Sequence, residues 1–400
     1  MKFLQRFLDR QQRHFQKGGR LEKFYSIFEM VDTFIFTPSE VTQNTAHVRD
    51  GLDLKRVMIT VGYALIPCGI MALYNTGFQA NLSLSEMGYP LPRGWRMELM
   101  YGWGLEFDPH SILSNMVHGG LYFIPVFLVT NIVGGFWEAL FASIRKHEIN
   151  EGFLVTGLLF PLTLPPTIPL WQVALGVSFG VVVGKEIFGG TGRNIFNPAL
   201  MGRAFLFFSY PAQMSGDLVW TAVDGHTGAT PLGLAAMGGM DTINHTWEQA
   251  FIGLIPGSMG ETSTIACLLG AVILIGTGIG SWKIMASCTL GAIVMALFLN
   301  LFDPVYNPIF SVTVKWHLVL GGFAFATVFM ATDPVSSAMT EQGKWIYGFL
   351  IGLLGILIRS VNPAYPEGWM LAILFMNAFA PLIDYFIVKK NINRRNRGYV

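Results

Sequence analysis

Ten apolar stretches, most of them free of charge over most of their length, constrain this chain more than any other feature. They run roughly over 57–75, 117–142, 152–168, 170–188, 197–214, 263–281, 284–302, 316–332, 345–359 and 369–388. A helix needs about 20 apolar residues to cross the hydrocarbon of a bilayer. In lipid every backbone N–H and C=O must be satisfied within the segment, which leaves helices or closed barrels. Stretches of this length predict helices. Only 13% of the 400 residues are charged, against about 25% in soluble domains. The expected fold is therefore an all-α integral membrane protein with about ten transmembrane helices. The stretch at 152–168 is crowded by Pro161 and Pro165, with Pro166 and Pro169 at its end, and that at 197–214 carries Arg203.

Charge distribution orients the chain. Ten Lys or Arg fall within residues 1–56 and five follow Tyr385. By the positive-inside rule both ends face the cytoplasm, and an even number of crossings agrees. Arg145 and Lys146 fall inside. The connection 76–116 and the loop 212–262, which has acids but no Lys or Arg, fall outside. The basic residues that break up the N-terminus are unlike a signal peptide. Residues 1–56 read as a cytoplasmic extension, 57–214 as a first membrane repeat and 215–262 as a periplasmic loop. Residues 263–388 read as a second repeat and 389–400 as a basic tail. Leu21 to Phe36 has helix-compatible apolar spacing, suited to the inner membrane face or to a partner.

The two halves echo each other. Gly152-Phe153 leads to Leu164-Pro165 as Gly322-Phe323 leads to Asp333-Pro334, and Asn197-Pro198-Ala199 is matched by Asn362-Pro363-Ala364. Five spans per half would make the repeats inverted, and Pro-interrupted segments of this kind flank midplane sites in transporters. Proline also kinks ordinary membrane helices.

Several chemistries are excluded. Cys68, Cys267 and Cys288 lie singly in apolar runs, too few to ligate an iron–sulfur cluster alone. The eight histidines show no metal or haem spacing, so no bound metal is expected. Gly189-Gly190-Thr191-Gly192 lacks the remainder of a phosphate-binding loop, and no dinucleotide fingerprint is present. Nothing points to nucleic acid; the basic ends suit the inner membrane surface.

Within the positive-free loop, Asp224-Gly225 favours a turn, and Thr227-Gly228-Ala229-Thr230 follows. Taken alone, Thr230 could simply cap a short helix. In context the run closely resembles the flavin-attachment sequence of bacterial respiratory membrane subunits. Gly228 and Ala229 would let a transferase reach the backbone. The wider chain resembles the B subunit of sodium-translocating NADH:quinone oxidoreductases. The likeness extends from His47-Val48-Arg49-Asp50 through Gly134-Gly135-Phe136-Trp137-Glu138. It continues through Phe188-Gly189-Gly190-Thr191-Gly192-Arg193-Asn194 and Met330-Ala331-Thr332-Asp333-Pro334 to Val361-Asn362-Pro363-Ala364-Tyr365-Pro366-Glu367-Gly368. Thr227 departs from it, where serine is often found. The D subunit of the Rnf ferredoxin-linked complex is the close relative, but lacks a long N-terminal extension. A non-redox transporter or channel is the reading from another class.

The resemblance implies two inverted five-helix repeats in a bacterial inner membrane. It implies FMN joined through phosphate to Thr230, non-covalent riboflavin, ubiquinone as substrate and coupled Na+ movement. Partners would be a second FMN-bearing subunit, an NADH-oxidising FAD/iron–sulfur subunit and a flavin transferase. Arg193, Asn194 and Asn197 are candidates to hold riboflavin; close packing of helices would equally use them. Gly134, Gly135, Phe136 and Trp137 could leave a slot for the quinone head or serve helix contact. Glu138, Asp333 and Asp384 could line a sodium path, since a hard cation prefers oxygen ligands, or anchor helix ends. Proton coupling would look the same in sequence.

Overall fold

A computed structural model describes residues 54–88, 94–145, 152–223, 228–361 and 368–397, with isolated positions among residues 10–28. Among the described residues the regular structure is helical.

The chain enters through α1 (Leu54–Met87), passes the short α2 (Trp95–Gly102) and continues as α3 (Ile112–Arg145). The 34 residues of α1 correspond to about 51 Å of helix, well beyond the hydrocarbon thickness. The stretch 76–116, read from sequence as an outer connection, thus begins as the continuation of α1 to Met87 and ends as the start of α3. Polar side chains pair across α1 and α3 here. Asn81 Nδ2 donates to Asn115 Oδ1 at 2.7 Å, and His118 Nδ1 lies 2.7 Å from Asn81 Oδ1. Glycine lets the backbones meet here: a Cβ on Gly77 would fall 1.9 Å from Asn115 O, and one on Gly119 1.8 Å from Leu73 O.

Next, α4 (Gly152–Leu162) stops after 11 residues, about 16 Å, where the proline cluster withdraws backbone donors. The chain resumes as α5 (Leu170–Val182) and α6 (Pro198–Ser209). Beyond lie α7 (Pro231–Gly238), α8 (Thr264–Gly276) and α9 (Trp282–Leu299). Ser263 Oγ caps α8 by accepting from Ala266 N at 3.2 Å. The stretch 316–332 is broken. A helical turn at Val314–His317 ends in Gly321 and Gly322, and Phe323–Phe325 runs into a π turn at Ala326–Met330. Last come α10 (Glu341–Val361) and α11 (Trp369–Arg397). The basic tail residues continue α11 rather than leaving it.

Six of these helical stretches are long and apolar enough to cross a membrane: Arg56–Met87, Ile112–Arg145, Leu170–Phe188, Trp282–Leu299, Glu341–Val361 and Trp369–Asn396. The other four apolar stretches form shorter or interrupted helices. These sit at the centre, where the main core gathers Leu65, Phe160, Leu206, Phe325, Tyr347 and Ile373. The three cysteines are buried and unbonded there, with Cys68 Sγ 3.8 Å from Cys267 Sγ.

Candidate functional site

Two cavities lie near opposite ends of α8. Leu274 lines the first and Thr262 the second, twelve residues apart, or roughly 18 Å at the helical rise.

The first cavity, about 670 Å³ with its open mouth, lies between the starts of α1 and α4 and the end of α8. Loop 185–198 closes one side and residues 332–335 another. Gly189, Gly190 and Gly192 hold φ of +114°, +93° and +84°, a region in which a Cβ is strained. They turn the chain so that Thr191, Asn194 and Asn197 line the space. Asn197 Oδ1 caps α6, accepting from Ala199 N at 3.0 Å and Leu200 N at 3.3 Å. Its Nδ2 donates to Asp333 Oδ2 at 3.2 Å. Asp333 also accepts from Val335 N at 3.0 Å and Ser336 Oγ at 2.9 Å. Asn194 Nδ2 donates to Phe196 O at 2.9 Å. Thr191 Oγ1 is buried with no hydrogen-bond partner.

Of the residues proposed for riboflavin, Asn194 and Asn197 therefore border one space, while Arg193 is exposed and outside its lining. Asp333, proposed for sodium, joins the two asparagines. Glu138 is not among the described lining residues; it meets Lys185, which is, with Lys185 Nζ 2.5 Å from Glu138 Oε1 and both side chains buried. Adjacent Glu186 turns away to Arg145, which donates to its carboxylate at 3.2 Å and to its carbonyl at 2.7 Å. Asp384 lies elsewhere. It accepts from Met339 N at 2.7 Å, Thr340 N at 3.0 Å and Thr340 Oγ1 at 2.5 Å, fixing the entry to α10.

The quinone candidates divide around α3, because successive residues turn by about 100°. A Cβ on Gly134 would meet the Phe153 ring at 2.2 Å, so this glycine serves helix contact; Gly135 faces open space. Phe136 is 60% exposed, and Trp137 Nε1 donates to Ser178 Oγ at 2.8 Å.

The second cavity, about 370 Å³, is lined by Thr230, Ser258, Glu261, Thr262, Gly321 and Gly322 among others. Thr230 caps α7 as well as facing this space: its Oγ1 accepts from Gly233 N at 3.0 Å. Asp224, Gly225 and Thr227 lie outside the described residues. Gly228 N donates to Asp217 O at 2.9 Å. The chain before the motif is tied down by Tyr122 Oη, donating to Ala222 O at 2.8 Å, and Thr167 Oγ1, donating to Val219 O at 3.0 Å.

Beneath this cavity lie two buried arginines. Arg203 pairs with Glu261 at 3.4 Å and donates to Ser258 Oγ at 3.3 Å. Arg359 is fully buried. It donates to Leu320 O at 3.0 Å, Gly321 O at 3.1 Å and His317 O at 3.3 Å, and sits 5.4 Å from the Trp369 ring centroid. Sequence reasoning singled out Arg203 and passed over Arg359, which lies at the edge of an apolar stretch and reads as a helix flank. Among the described residues no cluster of three or more His, Cys, Asp or Glu is placed to hold a metal ion.

A family profile described as "NQR2, RnfD, RnfE family" matches residues 41–393. The chain belongs to the NQR2, RnfD, RnfE family. Both cavities and every described helix from α1 to α10 fall inside the matched family region. The B subunit of the Na(+)-translocating NADH-quinone reductase of Ectopseudomonas mendocina is 59% identical over 97% of this chain and 98% of its own length. The protein of that name from Pseudomonas aeruginosa (strain PAO1) is 58% identical over 98% of each. That from Chromohalobacter salexigens is 56% identical over 97% of this chain and 95% of its own. The likeness to these family members thus extends over nearly whole chains.

Proposed function

We propose that this chain is the membrane electron-transfer B subunit of a sodium-pumping NADH:ubiquinone oxidoreductase. It would carry FMN on Thr230, hold riboflavin in the first cavity, and pass electrons to ubiquinone with coupled Na+ movement. Near-full-length identity of 56–59% to proteins named for that complex supports the assignment over the Rnf branch and over a non-redox transporter. The single observation that carries the flavin reading is Thr230 at the mouth of the second cavity, its hydroxyl on the first turn of α7. A phosphodiester there would be anionic, and a helix N-terminus stabilises an anion through free N–H groups and the helix dipole.

Bound flavins supply the redox chemistry, while the protein fixes spacing and potential. In the first cavity Thr191 offers an unpaired hydroxyl, and Asn194 and Asn197 present amides to a ring edge that both donates and accepts. Glycines at 189–192 keep the loop turned so that these groups converge. At the second cavity Arg359, held on backbone carbonyls, places positive charge behind the wall formed by Gly321 and Gly322, while Arg203 is balanced by Glu261. Gly135 and Phe136 would give the quinone a landing on the open side of α3.

Ten crossings in two inverted repeats are part of the same reading, with both termini cytoplasmic, the Thr230 loop periplasmic and the bacterial inner membrane as location. The parallel breaks support it: α4 ends at a proline cluster and the 314–330 segment breaks at two glycines. A second FMN-bearing subunit, an NADH-oxidising FAD/iron–sulfur subunit and a flavin transferase would complete the system. Moving one charge against 100 mV costs about 2.3 kcal/mol, so one electron falling through a similar potential suffices to drive one ion.

The deciding experiment runs the denatured, fully matured chain on a gel and looks for flavin fluorescence at its band, with peptide mass at 204–282. Fluorescence lost in Thr230→Val, with membrane insertion kept, is expected. A dark wild-type band, or fluorescence that persists in the variant, would refute attachment at Thr230.

A further inference from the structure

We infer that the paired starts of α9 and α10 form a binding site for an anionic phospholipid, its phosphate held between Lys283 and Lys344 and its chains laid along α9. The site requires only that these two helices cross the bilayer, and both are long and apolar enough to do so.

Glycines set the two helices side by side and parallel. A Cβ on Gly348 would fall 2.6 Å from Ile284 O, and one on Gly352 2.0 Å from Cys288 O. A step of four residues moves along both helices in the same direction, so their N-termini open at one level. That level is the basic end of the molecule. Asp384 reaches it from α11, accepting from Met339 N and Thr340 N, and α11 then runs on to Lys389 and Lys390.

Aromatic and basic side chains gather there. Trp282 opens α9 and Trp345 lies near the start of α10, with ring centroids 5.8 Å apart in an edge-to-face contact. They are 52% and 39% exposed. An indole, apolar with one polar N–H, suits the boundary between hydrocarbon and headgroups. Lys283 and Lys344 stand beside the rings, and both pair with Glu341. Two ammoniums against one carboxylate leave one positive charge over. The aligned N-termini of two helices add to it. Glu341 is the most exposed side chain of the three. Exposed ion pairs contribute little, so a lysine exchanges that carboxylate for a phosphate oxygen at small cost.

Below the tryptophans the surface suits acyl chains. Trp282, Ala286, Leu290 and Val294 are all exposed, and their spacing of four residues puts them on one face of α9. From Trp282 to Val294 the helix rises about 18 Å, close to the ~15 Å of hydrocarbon in one leaflet. An apolar stripe of that length, topped by aromatic rings and a net positive charge, matches a lipid with a negative head. A zwitterionic lipid would use the stripe without the charge, and a free phosphate the charge without the stripe.

The test titrates the intact purified complex in neutral detergent with phosphatidylglycerol and reads bound lipid by native mass spectrometry. Phosphatidylcholine with the same chains and glycerol phosphate are the comparison ligands. Wild type should hold phosphatidylglycerol in preference to both. Each charge should count for about fivefold in affinity, as basic residues at an anionic lipid surface do. Lys283→Gln and Lys344→Gln should each weaken the tightest phosphatidylglycerol step by that factor and leave phosphatidylcholine unchanged. Glu341→Gln should strengthen it by a similar factor, because the lysines then lose their competitor. A merely structural ion pair would not tighten lipid binding when broken. Should a lysine variant fail to assemble, Glu341→Gln decides by itself. Glycerol phosphate bound as tightly as the lipid would mark a free-phosphate site and overturn the lipid assignment. Phosphatidylglycerol bound equally by wild type and both lysine variants would mean that another subunit covers this face. That result, or weaker binding in Glu341→Gln, overturns the inference.

Discussion

Asn197 and Asp333, 136 positions apart in sequence, share a hydrogen bond of 3.2 Å at the wall of the first cavity. The same asparagine caps α6, so one side chain ties a helix start in the first half of the chain to the Thr332-Asp333-Pro334 turn in the second. Asn197→Ala should lose both roles. Removing an N-cap costs about 1 kcal/mol. Asn197→Asp keeps a capping oxygen but sets two carboxylates side by side, which disfavours ionisation of both. Thermal unfolding in detergent should fall modestly in the first variant. Non-covalent flavin content should fall further in the second.

Thr230 separates two contributions. Thr230→Ser keeps a hydroxyl for the cap and for esterification, so bound fluorescence should persist. Thr230→Val removes both, with an expected loss of about 1 kcal/mol from the cap and complete loss of fluorescence at the denatured band. A variant that loses fluorescence with wild-type melting behaviour would show that the cap contributes nothing to stability.

Arg359 gathers three backbone carbonyls around a break in the chain. Each hydrogen bond to a charged group is worth about 1.5–3 kcal/mol, and the carbonyls would be stranded in a dry core without it. Arg359→Leu should therefore reduce the yield of monodisperse detergent-extracted protein severely. Arg359→Lys should rescue it poorly, because an ammonium lacks the planar fork that serves several acceptors. Size-exclusion profiles of both variants check this.

Glycines on α3 should divide sharply. Gly119→Ala puts a Cβ 1.8 Å from the Leu73 carbonyl, whereas Gly135→Ala meets nothing within 4 Å. The first should destabilise by about 1–3 kcal/mol or more, as overpacking does, and melt earlier. The second should fold normally, so that any fall in its quinone reduction would report contact with the quinone rather than damage to the bundle.

Sidedness is accessible by thiol chemistry. The native cysteines are fully buried, so the background is silent. Met237, 63% exposed on α7, replaced by cysteine should react with a periplasm-restricted reagent in whole cells. Labelling only from the inner face would reverse the proposed orientation.

The helices were legible because lipid leaves a long charge-free stretch one way to satisfy its backbone. Local signals were legible for a similar reason. The Asn197-Pro198-Ala199 run opens α6 and the prolines at 161–169 end α4, since each acts within a few residues. The extent of α1 and α3 was not. Gln79, Asn81 and Ser83 fell in the stretch read as an outer connection, yet they lie on α1 and are buried, where polar groups pair within the protein instead of with water.

Which charges meet was decided by packing alone. Lys185 and Glu186 are adjacent in sequence, yet one takes Glu138 and the other Arg145, because neighbouring side chains leave the loop after α5 in different directions while only the bundle determines what stands opposite. The gathering of Thr191, Asn194, Asn197 and Asp333 around one cavity, and the burial of Arg359, depend in the same way on contacts between distant segments. A residue's order along the chain fixes its helix and its face; the neighbour it finds there belongs to the folded whole.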